Sequence, residues 1–228
     1  MQINIGQNIK NISKEIESTC KSCDRDPKNI KLIAVSKKQD LKYIKMALQN
    51  GINNFGENYA QELHEKCIHF NSKEITWHFI GPMQSNKIKI IAKHAAWVHA
   101  LNREKIIIKL NEECKKINKT IRACIQVNIS NESSKSGCLP EDLLKIAKFV
   151  KTMKNIELKG IMALPRLYED NTRALQEMKM IIDLSKRLQK KYPNASEISL
   201  GTTCDFKNAI ISGSTMLRIG ESIFGKRK

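Results

Sequence analysis

No stretch of this sequence is a candidate helical membrane span, because no window approaches the roughly 18 uncharged apolar residues that such a span requires. The N-terminus, Met1-Gln2-Ile3-Asn4-Ile5-Gly6, lacks the charged segment and continuous apolar core of a secretory signal. Both absences lead us to expect a cytoplasmic protein. Aromatic residues make up only 5% of the chain, and the basic residues form no long run and do not interleave with aromatics. The net charge of +17 is spread along the whole sequence and gives no footprint of specific nucleic-acid binding.

Metal and redox signatures are also missing. The seven cysteines, at 20, 23, 67, 114, 124, 138 and 204, form no framework, and their odd number suits a reducing compartment. Cys20-x-x-Cys23 has no second pair to complete a zinc site, and it ends a helical pattern instead of opening one after a strand. The five histidines form no His-Glu-x-x-His, and His64 and His69 are five apart, a poor spacing for two ligands. His99 reads as a core or rim residue of a strand. No Gly-x-Gly-x-x-Gly opens the first crossover, which argues against an open dinucleotide-binding sheet.

What is present is one unit, repeated. Ile5, Ile9, Ile12 and Ile16 lay an apolar stripe on an N-terminal helix, which Asp26-Pro27 stops. A short apolar strand follows, Lys31-Leu32-Ile33-Ala34-Val35-Ser36-Lys37, then a helix over 41–49, capped by Asp40 and closed by Asn50-Gly51. Strands and helices then alternate. Further strands are expected at 53–58, 75–81, 96–101, 121–129, 158–164, 197–201 and 215–220. Eight strands alternating with helices imply a parallel sheet with right-handed crossovers. Eight such units in 228 residues fit an α/β fold of one domain, a single closed (β/α)8 TIM barrel spanning 1–228. The sequence stops a few residues after the last strand, so the N-terminal helix is expected to supply the outer helix missing there.

In such a barrel, functional side chains gather at the C-terminal ends of the strands. Those ends carry Lys37, Glu57, Asn58, Gly81, Asn128, Leu164-Pro165-Arg166, Gly201-Thr202-Thr203 and Gly220-Glu221. Lys37 alone means little among 40 lysines and arginines. The loops after strands seven and eight give it company. Barrels commonly bind phosphate there, through exposed N–H groups, small residues and a helix N-terminus. Thr202-Thr203-Cys204-Asp205 fits that description, and it also fits an ordinary helix cap. Arg218 points inward and needs a partner, either a ligand or a carboxylate. An amine near a phosphate cradle suggests a Schiff base to a phosphorylated aldehyde, pyridoxal 5′-phosphate above all. Desolvation and a nearby cation lower a lysine pKa and free its lone pair. An arginine opposite the pyridine nitrogen would keep that nitrogen unprotonated. Gln84-Ser85-Asn86-Lys87 reads equally as a helix start or a functional loop, and Lys135-Ser136-Gly137 as a solvated turn or an anion-binding loop.

Several motifs together carry a resemblance. They are Ala34-Val35-Ser36-Lys37, Phe55-Gly56-Glu57-Asn58-Tyr59-x-Gln61-Glu62, Trp77-His78-Phe79-Ile80-Gly81-x-x-Gln84-Ser85-Asn86-Lys87, Lys135-Ser136-Gly137 and Gly213-Ser214-Thr215-Met216-Leu217-Arg218-Ile219-Gly220. In this order, from about residue 30 to 225, they resemble the YggS/PROSC family of pyridoxal phosphate homeostasis proteins. The resemblance implies a barrel similar to the alanine racemase N-terminal domain, with pyridoxal 5′-phosphate carried on Lys37 as an internal aldimine. It implies that Arg218 faces the pyridine nitrogen, that Thr203, Gly220 and Glu221 contact the phosphate, and that Asn58 and His78 lie near the pocket. Two positions depart from the family pattern. Thr202 stands where a large apolar residue is usual, which puts local packing in doubt, and Lys207 stands where glutamate is usual.

Three functions compete at this stage. The first is a non-enzymatic cofactor binder, expected to be monomeric, that buffers pyridoxal phosphate or delivers it to apo-enzymes. The second is a racemase-like enzyme. A racemase needs a base on each face of the cofactor. None of the tyrosines (43, 59, 168 and 192) stands at an obvious strand end opposite Lys37, and the sequence ends without a second domain to supply one, which favours the first function. The third, a basic nucleic-acid binder, explains the charge and none of the strand ends.

Overall fold

The isoleucine stripe builds the first element. Helix α1 (Ile5–Ser22) buries Ile5, Ile9, Ile12 and Ile16, and the Asn4 side chain accepts the Gln7 N–H at its start. The structure, a computed structural model, describes residues 4–130, 136–166, 168 and 170–225.

The strands are β1 (Lys31–Val35), β2 (Asn54–Glu57), β3 (Thr76–Phe79), β4 (Trp97–Leu101), β5 (Ile121–Val127), β6 (Ile156–Ala163), β7 (Glu197–Ser199) and β8 (Met216–Ile219). They follow one another in order around a closed, all-parallel barrel, with β1 paired to both β2 and β8. Outside them lie α2 (Leu41–Gln49), α3 (Ala60–Phe70), α4 (Ile88–His94), α5 (Glu104–Lys116), α6 (Leu143–Lys151), α7 (Asn171–Lys191) and α8 (Phe206–Ser212). The expected (β/α)8 alternation is therefore the observed one. Among the described residues, no helix is long and apolar enough to cross a membrane.

Three local expectations are corrected. Asp40 precedes α2 but makes no capping hydrogen bond; its carboxylate lies 3.6 Å from Lys42 Nζ instead. β1 ends at Val35, and Lys38 turns the chain with a φ of 58°, so Lys37 stands in a turn beyond the ladder. A four-residue helix, α9 (Glu221–Phe224), follows β8. It is too short to show a periodicity in sequence. α1 packs over this region as expected. Asn8 Nδ2 donates to Ile223 O, while Arg25 donates to Ile210 O and Ser214 O at the end of α8.

The apolar core lies between the strands and the helix ring, where Ile44, Phe55, Leu63, Ile88, Ile107 and Leu110 are fully buried. Inside the barrel the character changes. At the N-terminal mouth, Lys31 Nζ lies 3.5 Å from Glu197 Oε1 and 4.8 Å from the Trp97 ring centre, and Thr215 Oγ1 donates to Glu197 Oε2. Above this plug the interior includes the buried polar side chains of His78, His99, Ser199 and Arg218.

Because α1 is part of the outer ring, truncating its stripe should cost as much as truncating the core. Ile12→Ala is expected to lower the unfolding free energy by about 2–5 kcal/mol, read as a drop in urea midpoint at unchanged slope.

Candidate functional site

The C-terminal mouth holds a cavity of about 260 Å³, near the lower end of the ~300–1,000 Å³ of small-molecule clefts. Six of the residues singled out from sequence line it: Lys37 beyond β1, Asn58 beyond β2, Thr203 beyond β7, Arg218 on β8, and Gly220 and Glu221 where α9 begins. Val35, Ile80 and Met162 supply an apolar wall. His78, the seventh, does not line it. It lies fully buried in the barrel interior.

Two close approaches shape the mouth. A Cβ on Gly81 would fall 2.2 Å from Asn58 O, so only glycine lets the end of β3 lie against Asn58. Gly201 has a φ of +98°, and a Cβ there would meet the Ala209 Cβ at 2.7 Å. That glycine brings the loop after β7 down onto α8. The loop is closed by Asp205, whose Oδ1 accepts from both the N–H and the hydroxyl of Thr202. Thr202 thus answers its own departure from the family pattern, since its hydroxyl ties the turn that carries Thr203. Lys207, the other departure, pairs with Glu15 of α1 at 2.6 Å. Ser85–Lys87 is a single 3-10 turn leading into α4. Lys135 lies outside the described residues.

Arg218 is 4% exposed, and within the protein its hydrogen bonds go to a hydroxyl and a backbone carbonyl. NH1 donates to Ser199 Oγ at 2.5 Å and NH2 to Ala163 O at 2.9 Å. Burial draws its pKa down to about 10, so the guanidinium stays charged at neutral pH. From Ser199 a chain of contacts runs down the barrel interior. Ser199 Oγ meets His99 Nδ1 at 2.8 Å, His99 Nε2 meets His78 Nδ1 at 3.0 Å, and His78 Nε2 meets Asn54 Oδ1 at 3.0 Å.

The direction of this chain follows from its ends. Arg218 can only donate and the Asn54 carbonyl can only accept. Burial pushes the pKa of His78 down to about 3 and that of His99 well below the usual histidine value, with nearby cations adding to the shift, so both rings are neutral. A neutral ring has one donor and one acceptor. Hence Ser199 donates to His99, His99 to His78, and His78 to Asn54, with both rings protonated at Nε2; the ring protons are assigned from this network. His78 therefore acts at the cavity through three intermediaries. Sequence reasoning missed Asn54, His99 and Ser199 as parts of the site. The available signal was polar residues at inward positions of strands that should be apolar inside.

The barrel and cavity together define a class: a closed parallel (β/α)8 barrel presenting an amine, a buried guanidinium and a turn of small residues at its C-terminal mouth. Residues 8–228 match the family model of the alanine racemase N-terminal domain. The chain is 39% identical to the pyridoxal phosphate homeostasis protein of Vibrio cholerae, over 98% of this chain and 96% of that protein. It is 40% identical to the protein of the same name from Haemophilus influenzae, over 99% and 97%. Its fold matches that of Synechococcus elongatus PipY, solved with pyridoxal phosphate bound, at a TM-score of 0.85 and 24% identity, over 97% of this chain and all of that one. The chain belongs to the pyridoxal phosphate homeostasis protein family.

The directional chain predicts that both interior histidines stay neutral, in the Nε2–H form, from about pH 7.5 to 5 in long-range ¹⁵N spectra; titration of either ring there would refute it. The unfolded chain protonates its histidines below about pH 6.5 while these two refuse the proton. Each therefore contributes stability that is present above that pH and is lost as pH falls, by up to ~1.4 kcal/mol per pH unit. Urea unfolding at about pH 7 and 5.5 measures this loss.

Proposed function

We propose that this protein binds pyridoxal 5′-phosphate at the C-terminal mouth of its barrel, held covalently by Lys37, and serves cofactor homeostasis by storing and delivering it. The observation that carries the reading is the convergence of Lys37, Thr203, Arg218, Gly220 and Glu221 on one cavity. The names of its relatives support it.

The residues fit the group. Among the described residues, Asn58 Oδ1 is buried and has no hydrogen-bond partner, so the cavity wall contains an acceptor that a ligand donor would satisfy. Thr203, Gly220 and Glu221 would hold the phosphate through a hydroxyl and backbone N–H groups. Arg218, a donor that hydrogen-bonds to neutral groups in the protein, suits a ring nitrogen that stays unprotonated. Pyridoxal phosphate supplies an aldehyde that condenses with an amine, with loss of water. His78 would serve by orienting Arg218 through His99 and Ser199.

The reading is non-enzymatic. Racemisation needs a second base facing Lys37 across the cofactor; among the described lining residues there is neither a tyrosine nor a histidine, Glu221 is assigned to the phosphate, and Cys204 is the remaining titratable group besides Lys37 and Arg218. The relatives are named for cofactor homeostasis, which supports the non-enzymatic reading. We place the protein in the cytoplasm, as a one-domain monomer whose partners are the cofactor and the apo-enzymes that accept it, with no specific binding to nucleic acid or membrane.

Protein mixed with pyridoxal phosphate should turn yellow, and borohydride followed by peptide mapping should find the label on Lys37. Lys37→Ala should abolish both signals. A label on another lysine overturns the site. Sustained turnover of an amino acid by the purified holo-protein overturns the non-enzymatic reading.

A further inference from the structure

Lys37 sits in a turn that the barrel ladder does not hold, and a buried ion cluster grips the residues on either side of it. Lys66 of α3 has three ammonium protons and three acceptors: Ser36 O at 2.7 Å, Glu57 Oε1 at 2.8 Å and Glu62 Oε2 at 2.9 Å. Ser36 also donates its hydroxyl to Glu57 Oε1 at 2.5 Å. On the other side, the Lys38 N–H donates to Glu62 Oε2 at 2.6 Å. Lys38 is a non-glycine residue in the left-handed region, so that bond holds a conformation which costs energy. One helix turn, Glu62 to Lys66, thus fastens both neighbours of Lys37.

The cluster is a poor investment if stability were its purpose. Lys66 is 4% exposed and Glu57 fully buried. Apolar residues of similar volume often stabilise such a site as well or better. What the ions supply is direction, because each bond has one donor, one acceptor and one short length. Burial pushes the Glu57 carboxyl up, opposed by Lys66 and Ser36. Burial also pushes the Glu62 carboxyl up, but the Lys38 N–H and Lys66 outweigh it and the net shift is downward, so Glu62 is anionic when it holds the turn.

We propose that Glu57, Glu62 and Lys66 form a positioning cluster that aims the Lys37 amine into the cavity for capture of the cofactor aldehyde. This rests on the function proposed above. In that capture the amine nitrogen bonds to the aldehyde carbon, and the carbonyl oxygen leaves as water with the two amine protons. The cluster touches none of the reacting atoms. Its effect is confined to a ligand that has an aldehyde.

Pyridoxamine 5′-phosphate carries the same ring and phosphate without the aldehyde, so it reads the cradle alone. Binding of both ligands is compared for the unsubstituted protein, Glu62→Ala and Glu62→Gln. For Glu62→Ala, pyridoxal phosphate should bind about tenfold more weakly, while pyridoxamine phosphate changes by less than about twofold. Glu62→Gln keeps an oxygen for the Lys38 N–H and should recover most of the loss. Ser36→Ala, which removes one donor from Glu57, is a milder companion and should shift the same ratio in the same direction. Equal weakening of both ligands, or no change in either, overturns the positioning role. If borohydride places no label on Lys37 in the unsubstituted protein, the proposed function fails and this role with it. If the label is there and Glu62→Ala behaves as the unsubstituted protein does, only the role fails.

Discussion

A guanidinium inside a closed barrel dictates the rest of this interior. Barrels of this type normally fill with branched apolar side chains. Arg218 does not allow that here, because a buried charge without partners costs far more than packing returns. Its partners are a hydroxyl and a backbone carbonyl, Ser199 and Ala163. A carboxylate would have sufficed to balance the charge. The hydrogen bonds of Arg218 go to neutral acceptors, and the Asp205 carboxylate acts on it only electrostatically, without a hydrogen bond. Ser199 must then be turned the right way, His99 must receive its proton, and His78 and Asn54 must complete the relay. One cation thereby converts several inward positions from apolar to polar. The apolar burden shifts to the layer between strands and helices, where isoleucine, leucine and phenylalanine are abundant.

The architecture was legible because its signals are local. Period, punctuation and alternation placed all eight strands, with errors of a few residues at their ends. Convergence of Lys37, Asn58, Thr203, Arg218, Gly220 and Glu221 was also legible, since closing a parallel barrel brings every strand end to one mouth. His78 shows where this reasoning stops. Its motif marks a strand, but depth inside the barrel depends on register between strands. The structure pairs His78 with Gly56, two residues below Asn58. Glu62 and Lys66 stand four apart on a helix, and such pairs are usually surface decoration. Their reach to Ser36 and Lys38 crosses from one β/α unit to the preceding one, and no local pattern reports it.

The two departures from the family pattern illustrate how small changes are absorbed. Thr202 exchanges apolar packing for one side-chain hydrogen bond to Asp205, added to the bond its backbone N–H already makes there. Lys207 finds Glu15 on α1, which also reaches Ile223 through Asn8, while Arg25, just beyond the end of α1, reaches Ile210 and Ser214. α1 is therefore more than a filler of the outer ring. It binds together the two short helices that stand under the loops after β7 and β8.

The pairing of β1 with β8 has a consequence in time. Lys37 is among the first parts of the site to be synthesised, and Arg218, Gly220 and Glu221 are among the last. Until β8 has left the ribosome and found β1, the lysine has no cradle opposite it and the mouth does not exist. A nascent chain consequently cannot take up ligand in stages. Ring closure must come first, so any ligand of this mouth meets either a finished vessel or none.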